Sequence, residues 1–255
     1  MMNKYVFSLL LIVCQLSSFC SASEIKTYKG VISGGYDFYV STPTTKSDTV
    51  AKPMVVFLHG ASLCGTNIER VRRYGVLNAV DRGMRIPAIV VAPQNPGGAW
   101  RPSKVNDVMM WVERNYSVDT SRVYVIGMSL GGYGTLDFVN AYPDKVAAAM
   151  ALCGGCSVKC PAGLSKVPLW VMHGTADRAV ALSKSREVVN YLKGSKADSL
   201  LRYDWISGAN HGYLARFFYL KKTYDWLLAH SLNDTPRVVN RKIDISRQEM
   251  NSAYR

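Results

Sequence analysis

One serine stands in a pattern typical of an enzymatic nucleophile. Ser129 is the centre of Gly127-Met128-Ser129-Leu130-Gly131, between a short apolar run and a segment with helical spacing. A serine at such a junction must lie in a sharp turn, and glycines two positions away on each side allow the two backbones to approach closely. The N–H groups that begin the helix also favour negative charge on a substrate oxygen. The pattern therefore predicts that Ser129 is a nucleophile; the competing interpretation is a glycine-rich turn that only starts a helix.

A serine hydroxyl needs a base to remove its proton, and the chain offers four histidines. His211 lies in a loop of small residues just after a predicted strand, which favours it as the base. His59 and His173 each end a predicted strand as His-Gly, and we expect them to fix loop geometry. His230 is predicted to be solvated on the last helix.

The base in turn needs an acid that holds its tautomer. Asp177 follows a predicted strand at the same edge of the sheet, within His173-Gly-Thr-Ala-Asp177. Asp204 is the rival, but it lies inside a predicted strand and is expected to point to a sheet face. The order Ser129, Asp177, His211 is the order of α/β-hydrolases, and not that of chymotrypsin or subtilisin.

The elements that must position these residues alternate along the chain. Apolar strands followed by helices predict an α/β fold with a mostly parallel central sheet and helices on both faces. The predicted strands span residues 36–41, 54–58, 88–92, 123–126, 146–152, 169–172 and 202–206, the first of them an antiparallel edge strand. The predicted helices span residues 67–80, 105–115, 130–141, 181–193 and 214–228. We expect one catalytic domain over residues 23–231, followed by a polar extension over 232–255 that is irregular or holds a late strand.

The N-terminus has the pattern of a secretory signal peptide over residues 1–22. Lys4 precedes a short apolar run, and small residues follow it up to Ala22. The run is too short for the ~20 residues of a membrane-spanning helix, which disfavours a membrane anchor. A lipid anchor at Cys14 or Cys20 is disfavoured because Val13 and Phe19 precede those cysteines. We therefore expect a secreted or periplasmic protein without stable membrane insertion.

The predicted mature chain keeps four cysteines, in an exported context that permits disulfide bonds. We expect a structural disulfide among them, with the pairing undetermined. A zinc site and a thioredoxin-like redox site are weaker interpretations, because no histidine lies near the cluster in sequence and the strand–helix order does not fit. The four are Cys64, Cys153, Cys156 and Cys160.

The chain is basic, with 31 Lys and Arg against 18 Asp and Glu and a formal net charge of +13. Such a charge favours anionic partners, either acidic polysaccharides or nucleic acid. The basic residues are scattered, however, and no basic platform with interleaved aromatic residues is present in the sequence. We expect a solvated basic surface and no nucleic-acid partner; nothing in the sequence specifies an oligomeric state.

Five motifs in this order closely resemble the α/β-hydrolase esterases, a group that includes feruloyl esterases, polyhydroxybutyrate-depolymerase-like enzymes and small carboxylesterases. Prolyl-oligopeptidase-type peptidases share the motifs more distantly. The similarity covers roughly residues 50–230. The motifs are Phe57-Leu-His59-Gly60-Ala61, Ala92-Pro93-Gln94, Gly127-Met-Ser129-Leu-Gly131-Gly132, His173-Gly-Thr-Ala-Asp177 and Ala209-Asn-His211-Gly212.

This resemblance implies a serine esterase that needs no metal or organic cofactor. It also implies an oxyanion hole made by the backbone N–H groups of Ala61 and Leu130. Ser62-Leu63-Cys64-Gly65 departs from the turn that relatives often have, so Ser62 remains an alternative to Ala61.

Indications of the substrate are fewer. We expect Trp100, Met128 and Gln94 to line a pocket, with Trp100 stacking on an aromatic acyl group or a sugar. Packing of Trp100 within its own loop is the alternative. Export and the absence of an obvious inserted lid favour deacylation of polysaccharide-linked feruloyl or acetyl esters, or of small esters. The other hypotheses are a prolyl-oligopeptidase-like peptidase, a non-catalytic binding module on a hydrolase scaffold, and a disulfide-handling protein built on Cys153 and Cys156.

Overall fold

The computed structural model describes residues 23–43 and 50–253, so the predicted signal peptide lies outside the described residues. Eight strands form one sheet in the order β1-β2-β4-β3-β5-β6-β7-β8. The strands are β1 (Glu24–Tyr28), β2 (Asp37–Thr42), β3 (Lys52–Leu58), β4 (Ile89–Gln94), β5 (Val118–Met128), β6 (Ala148–Leu152), β7 (Leu169–Gly174) and β8 (Leu201–Ile206). Strands β3 to β8 pair in parallel, whereas β1 and β2 pair antiparallel at one edge. The predicted fold class is confirmed.

Within the described residues, six α-helices cover the two faces of this sheet. They are α1 (Val76–Asp81), α2 (Pro102–Asn115), α3 (Leu130–Ala141), α4 (Leu182–Gly194), α5 (Lys221–Leu228) and α6 (Arg247–Ser252). Helices α1, α5 and α6 contribute to a core on one face, and α2, α3 and α4 contribute to a core on the other. Because successive strand residues point to opposite faces, Phe57 belongs to the first core and its neighbours Val56 and Leu58 to the second. Burial on both faces accounts for the nearly continuous apolar runs.

Two predicted helices are each broken into two pieces. The predicted helix over 67–80 is a 3-10 segment, Ile68–Arg72, followed by α1. Gly75 separates them with φ 93°, and a Cβ there would lie 2.2 Å from the Phe57 ring. The predicted helix over 214–228 is a 3-10 segment, His211–Tyr219, followed by α5, with extended backbone at Leu220. In both cases an apolar face is kept, but contact with the core determines the backbone.

The segment after α5 is packed against the domain. It has no helix or strand up to Ser246, and its Val239 and α6 residue Met250 are 6% and 3% exposed and belong to the core. The Arg237 guanidinium donates to the carbonyl oxygens of Val146 and Ala147 at 3.0 and 2.7 Å. The residues after 231 therefore pack into the same core as the domain before them.

Among the described residues, no helix has both the length and the apolar character to cross a bilayer.

Candidate active site

The three predicted triad residues follow neighbouring strands. Strands β5, β6, β7 and β8 lie side by side and run parallel, so their carboxyl ends share one edge of the sheet. Ser129 follows β5, Asp177 lies in the loop after β7, and His211 opens the 3-10 segment after β8. Residues far apart in the chain thus meet at one edge, where open α/β sheets usually bind ligands.

Ser129 occupies a strained turn between β5 and α3. Its backbone has φ 60° and ψ −123°, a conformation that non-glycine residues rarely adopt. A Cβ on Gly131 would lie 1.8 Å from the Leu58 carbonyl oxygen, so only glycine allows α3 to approach β3 this closely. The Ser129 N–H donates to the Leu152 carbonyl oxygen at 2.8 Å, which ties the turn to β6. The strain and the close approach are those of a nucleophile elbow.

His211 and Asp177 form a close pair. The His211 Nδ1 atom donates to Asp177 Oδ2 at 2.6 Å, and this contact directs Nε2 of the ring away from the carboxylate. The Asp177 side chain is 0% exposed, whereas the His211 side chain is 24% exposed. The rival Asp204 instead accepts the indole N–H of Trp170 at 2.6 Å and the Arg202 guanidinium at 3.2 Å. Only Asp177 is placed to orient the base.

Several donors stabilise the charged form of Asp177. Its Oδ1 accepts the backbone N–H groups of Ala179 and Val180 at 2.8 and 2.9 Å. Burial raises the pKa of this carboxyl, but hydrogen bonds from Val180, His211, Ala179 and the Cys153 thiol outweigh burial and lower the pKa below its ordinary value. Asp177 is therefore ionised at neutral pH.

The Ser129 hydroxyl makes no hydrogen bond to His211 within the described part of the chain. Catalytic hydrogen bonds are often long without substrate and shorten in the reacting complex. The backbone places Ser129 and the His211–Asp177 pair at the same sheet edge.

The loop that carries Ala61 lies against the nucleophile. A Cβ on Gly60 would lie 3.5 Å from the Ser129 Cβ and 2.6 Å from the Tyr74 hydroxyl oxygen, which itself accepts the Gly60 N–H at 3.1 Å. Ala61 begins a one-turn 3-10 segment, Ala61–Leu63, and Leu130 begins α3. First-turn N–H groups have no partner within their own helix, so both are available as donors.

Gln94 stabilises this loop from within the protein and is not part of an open surface. It is 4% exposed, and its amide nitrogen lies 2.8 Å from the carbonyl oxygens of both Leu63 and Gly65. The expectation that Gln94 lines the pocket is therefore corrected. Gln94 is buried at the end of β4, and its side chain donates hydrogen bonds to carbonyl oxygens of the 61–65 loop.

Trp100 and Met128 are also packing residues in this structure, each 4% exposed. The Trp100 indole N–H donates to the His59 carbonyl oxygen at 3.1 Å, and its ring lies edge-on to His59 and Tyr36. Trp100 is therefore packed within the protein, which is the alternative interpretation of this residue. No face of its ring is free to stack on an acyl group or a sugar. Met128 adjoins Ser129 but points into the core.

Three of the four histidines serve structure. His59 is wholly buried, accepts the Asn95 N–H at 3.0 Å through Nε2, and contacts the Gly60 carbonyl oxygen at 2.9 Å through Nδ1. Burial lowers the pKa of His59 to about 4. The expectation that His230 is solvated is wrong: it is 3% exposed, packs on Trp226 and accepts the Asn240 N–H at 3.1 Å.

The expected disulfide is absent, since all four cysteines of the described residues are free thiols. Cys153 is buried beside Asp177, and the Cys156 Sγ lies 3.3 Å from Asp137 Oδ1. Each of these two thiols is thus engaged by an aspartate and not by another sulfur.

The structure places one set of metal-ligating atoms together. Donor atoms of Cys153, His173 and Asp177 lie within 4.8 Å of one another, a spacing that a thiophilic metal ion could use. The His173 Nε2 atom already lies 3.3 Å from Asp177 Oδ2, however, so these two groups interact with each other.

Sequence reasoning missed Tyr74 at the Ala61 loop and the contacts of Cys153 and His173 with Asp177. The only signal for Cys153 is its place directly after β6, the strand between the nucleophile and the acid. Beside His211 lies an open depression of about 780 Å³, whose other lining residues are Ala176, Arg178, Ala179, Gly208, Asn210 and Gly212.

Comparisons with known proteins agree with this architecture. The dienelactone hydrolase family model matches residues 99–223. A bifunctional acetylxylan esterase/xylanase from Neocallimastix patriciarum is 28% identical over 200 residues, which cover 70% of this chain and 28% of that protein. The chain therefore spans less than a third of that relative's length.

Solved structures give the same result. A thermostable esterase superposes with a TM-score of 0.67 at 25% identity, covering 82% of this chain and 63% of that one. The feruloyl esterase module from Clostridium thermocellum, an S954A mutant complexed with sinapinate, superposes with a TM-score of 0.58 at 18% identity, covering 89% and 91%. The latter likeness concerns the fold alone.

Proposed function

We propose that the chain is an α/β-hydrolase esterase and hydrolyses carboxylic esters through a triad of Ser129, His211 and Asp177. The observation that carries the proposal is the 2.6 Å contact between His211 Nδ1 and buried Asp177, at the sheet edge that also holds the strained Ser129 turn. This combination supplies an oriented base and a half-buried serine at one edge of a rigid sheet.

The mechanism follows from the tautomer. Because Nδ1 of His211 carries the hydrogen donated to Asp177, Nε2 is the nitrogen that takes the Ser129 proton. The Ser129 oxygen attacks the ester carbonyl, and the imidazolium that forms faces an ionised carboxylate. His211 then gives the proton to the leaving alcohol. In the second half, His211 activates a water that releases the acid from the acyl-enzyme.

The negative charge of the tetrahedral intermediate needs donors on the opposite side. In the proposal the N–H groups of Leu130 and Ala61 supply them, since one follows the nucleophile and the other belongs to the loop packed on it. Loss of one such donor typically costs about 10²–10³ in rate.

The substrates that we propose are acetyl or feruloyl esters linked to plant polysaccharides. Support comes from the acetylxylan esterase relative, and the open depression beside His211 is the adjoining surface on which we propose that part of the polymer rests. Export, proposed from residues 1–22, would bring the protein to such polymers.

The role of Ser129 is tested by Ser129→Ala, with the exposed Ser195→Ala as control. On p-nitrophenyl acetate we expect the first variant to lose at least about 10⁴ in kcat and the second to keep wild-type rates. Wild-type turnover by Ser129→Ala would reject the triad.

The substrate class is tested separately. Acetylated xylan, methyl ferulate, p-nitrophenyl esters of increasing chain length and aminoacyl amides are compared by kcat/KM. We expect the two polysaccharide-type esters to exceed the amides by orders of magnitude. Preference for an amide would favour a peptidase, and preference for long acyl chains would contradict the proposed substrate.

A further inference from the structure

Asp177 is contacted from three strands at once. His211 reaches Oδ2 from the loop after β8, while Cys153 follows β6 and His173 lies within β7. Arg178 follows Asp177 in the chain and lines the depression outside. Asp177 Oδ1 accepts two backbone N–H groups of its own loop. The orientation of Oδ2 therefore depends on the side chains of His211, Cys153 and His173.

Cys153 is built into the sheet edge between nucleophile and acid. Its N–H donates to the Met172 carbonyl oxygen at 2.8 Å, and its own backbone is held at φ 49°. The thiol is buried, and its sulfur lies within 4.8 Å of a carboxylate oxygen of Asp177 and of a ring nitrogen of His173. Burial, the charge of Asp177 and the hydrogen bond to it raise the pKa of the thiol, so the thiol keeps its hydrogen for the carboxylate.

His173 approaches the same oxygen from within β7. Its Nε2 lies 3.0 Å from the Val180 carbonyl oxygen and 3.3 Å from Asp177 Oδ2. Since both neighbours are acceptors, Nε2 must carry a hydrogen. The Ser185 hydroxyl lies 2.7 Å from Nδ1 and fixes the other side of the ring. Burial lowers the pKa of His173, so the ring donates as a neutral imidazole.

We propose that Cys153 and His173 are positioning residues, which hold Asp177 Oδ2 toward His211 by donating hydrogen bonds to the buried carboxylate. The inference rests on the proposed triad. In this proposal neither residue touches substrate. Both keep the carboxylate ionised and oriented, because an S–H and an N–H donor at one carboxylate leave it a narrow range of orientations.

The thiol is tested with two variants and a matched control. Cys153→Ala removes the donor, Cys153→Ser restores one, and Cys156→Ala removes a thiol that contacts Asp137 instead. Rates on p-nitrophenyl acetate are measured from pH 5 to pH 9, with thermal melting of each variant. A hydrogen bond to a charged group contributes about 1.5–3 kcal/mol, so we expect Cys153→Ala to lose roughly tenfold or more in kcat at unchanged KM.

The pH profile separates positioning from mere packing. Without the thiol's hydrogen bond, the Asp177 carboxylate attracts the His211 N–H more strongly and favours the protonated ring, so the acidic limb of the profile should move to higher pH. Cys153→Ser should restore the acidic limb to its wild-type pH and should recover most of the rate. Cys156→Ala should match the wild type in both. A wild-type profile for Cys153→Ala, or a loss that serine does not restore and that follows only the melting temperature, would overturn the proposal.

A second pair covers the case in which the cysteine variants do not fold. His173→Gln keeps an N–H donor near the carboxylate, whereas His173→Leu does not, and we expect only the leucine variant to shift the limb. Equal profiles for the two would contradict the role of His173. Labelling of Ser129 by a fluorophosphonate needs the triad but no ester substrate. If the wild type labels but hydrolyses no ester, the substrate proposal fails while the labelling rates still test the positioning residues.

Discussion

Asp177 and Asp204 are two carboxylates of one sheet whose surroundings give them different roles. Asp177 is 0% exposed and contacts an imidazole, whereas Asp204 is 41% exposed and contacts Trp170 and Arg202. An acid that orients a base must be both aimed and desolvated, and only the first meets that requirement.

The matched variants Asp177→Asn and Asp204→Asn test this difference. An amide at 177 cannot accept the His211 N–H in the same way and favours the wrong tautomer, so kcat should fall by about 10⁴. Asp204→Asn should stay within about twofold of wild type. Rates on p-nitrophenyl acetate and melting curves are compared; a similar loss in both variants would make the two carboxylates equivalent and contradict the assignment.

At the scale of elements, the turn that holds Ser129 depends on how closely α3 approaches β3. Gly131 has no room for a side chain, but Gly194, the last residue of α4, has no heavy atom within 4 Å of an added Cβ. We expect Gly131→Ala to reduce the free energy of unfolding by about 3 kcal/mol and to impair catalysis. Gly194→Ala should stabilise by about 0.4–1 kcal/mol by restricting the unfolded chain. Urea unfolding measures both, and equal stabilities would show that α3 can shift without cost.

The elements also show which sequence signals were sufficient. Strands β3, β4, β6, β7 and the second half of β5 could be located because burial on both faces leaves long apolar runs. The turn at Ser129 could be located because strand, glycines and helix are neighbours in sequence. Strand β1 was missed, since this edge strand is polar and half exposed. The breaks at Gly75 and Leu220 depend on the Phe57 ring and on the core, which local periodicity does not reveal.

Contacts between side chains on different strands could not be predicted from the sequence for a related reason. Cys153 and Asp177 are close because β6 lies between β5 and β7, and sheet order is set by the whole chain. Likewise Trp100 and Gln94 were placed at the correct edge, but which way each side chain points depends on His59 and on the 61–65 loop.

For the whole molecule, three buried histidines make stability depend on pH. Burial lowers the pKa values of His59, His173 and His230, so each is neutral when folded and takes up a proton more readily when unfolded. Their contribution is present above the unfolded pKa of 6.5 and is lost as the pH falls; for His59 the loss runs from 6.5 down to about 4. From the shift of His59 alone, about 2 kcal/mol should be lost at about pH 5.

Denaturant unfolding at pH 7 and at about pH 5 measures this loss. The His59→Gln variant should be less stable at pH 7 but should show a smaller decrease on acidification, because its side chain does not titrate. An unchanged decrease in that variant would assign the acid sensitivity to other groups.

The chain after α5 links the base to residues far along the sequence. The Arg216 guanidinium donates to the carbonyl oxygens of Met250 and Asn251, each at 3.0 Å, and the Tyr213 hydroxyl lies 2.9 Å from the Asn251 side chain. The 3-10 segment that begins at His211 is therefore secured by α6, whereas Ser129 is held by the central strands.

We therefore expect the Ser129 turn and the His211 segment to differ in local stability. On slow heating, α6 should detach first and the imidazole should lose its place while the sheet is still intact, so that inactivation precedes melting. Residual activity and far-ultraviolet circular dichroism, followed on the same heated samples, would then show two transitions; coincident curves would mean that both ends of the triad share one cooperative unit.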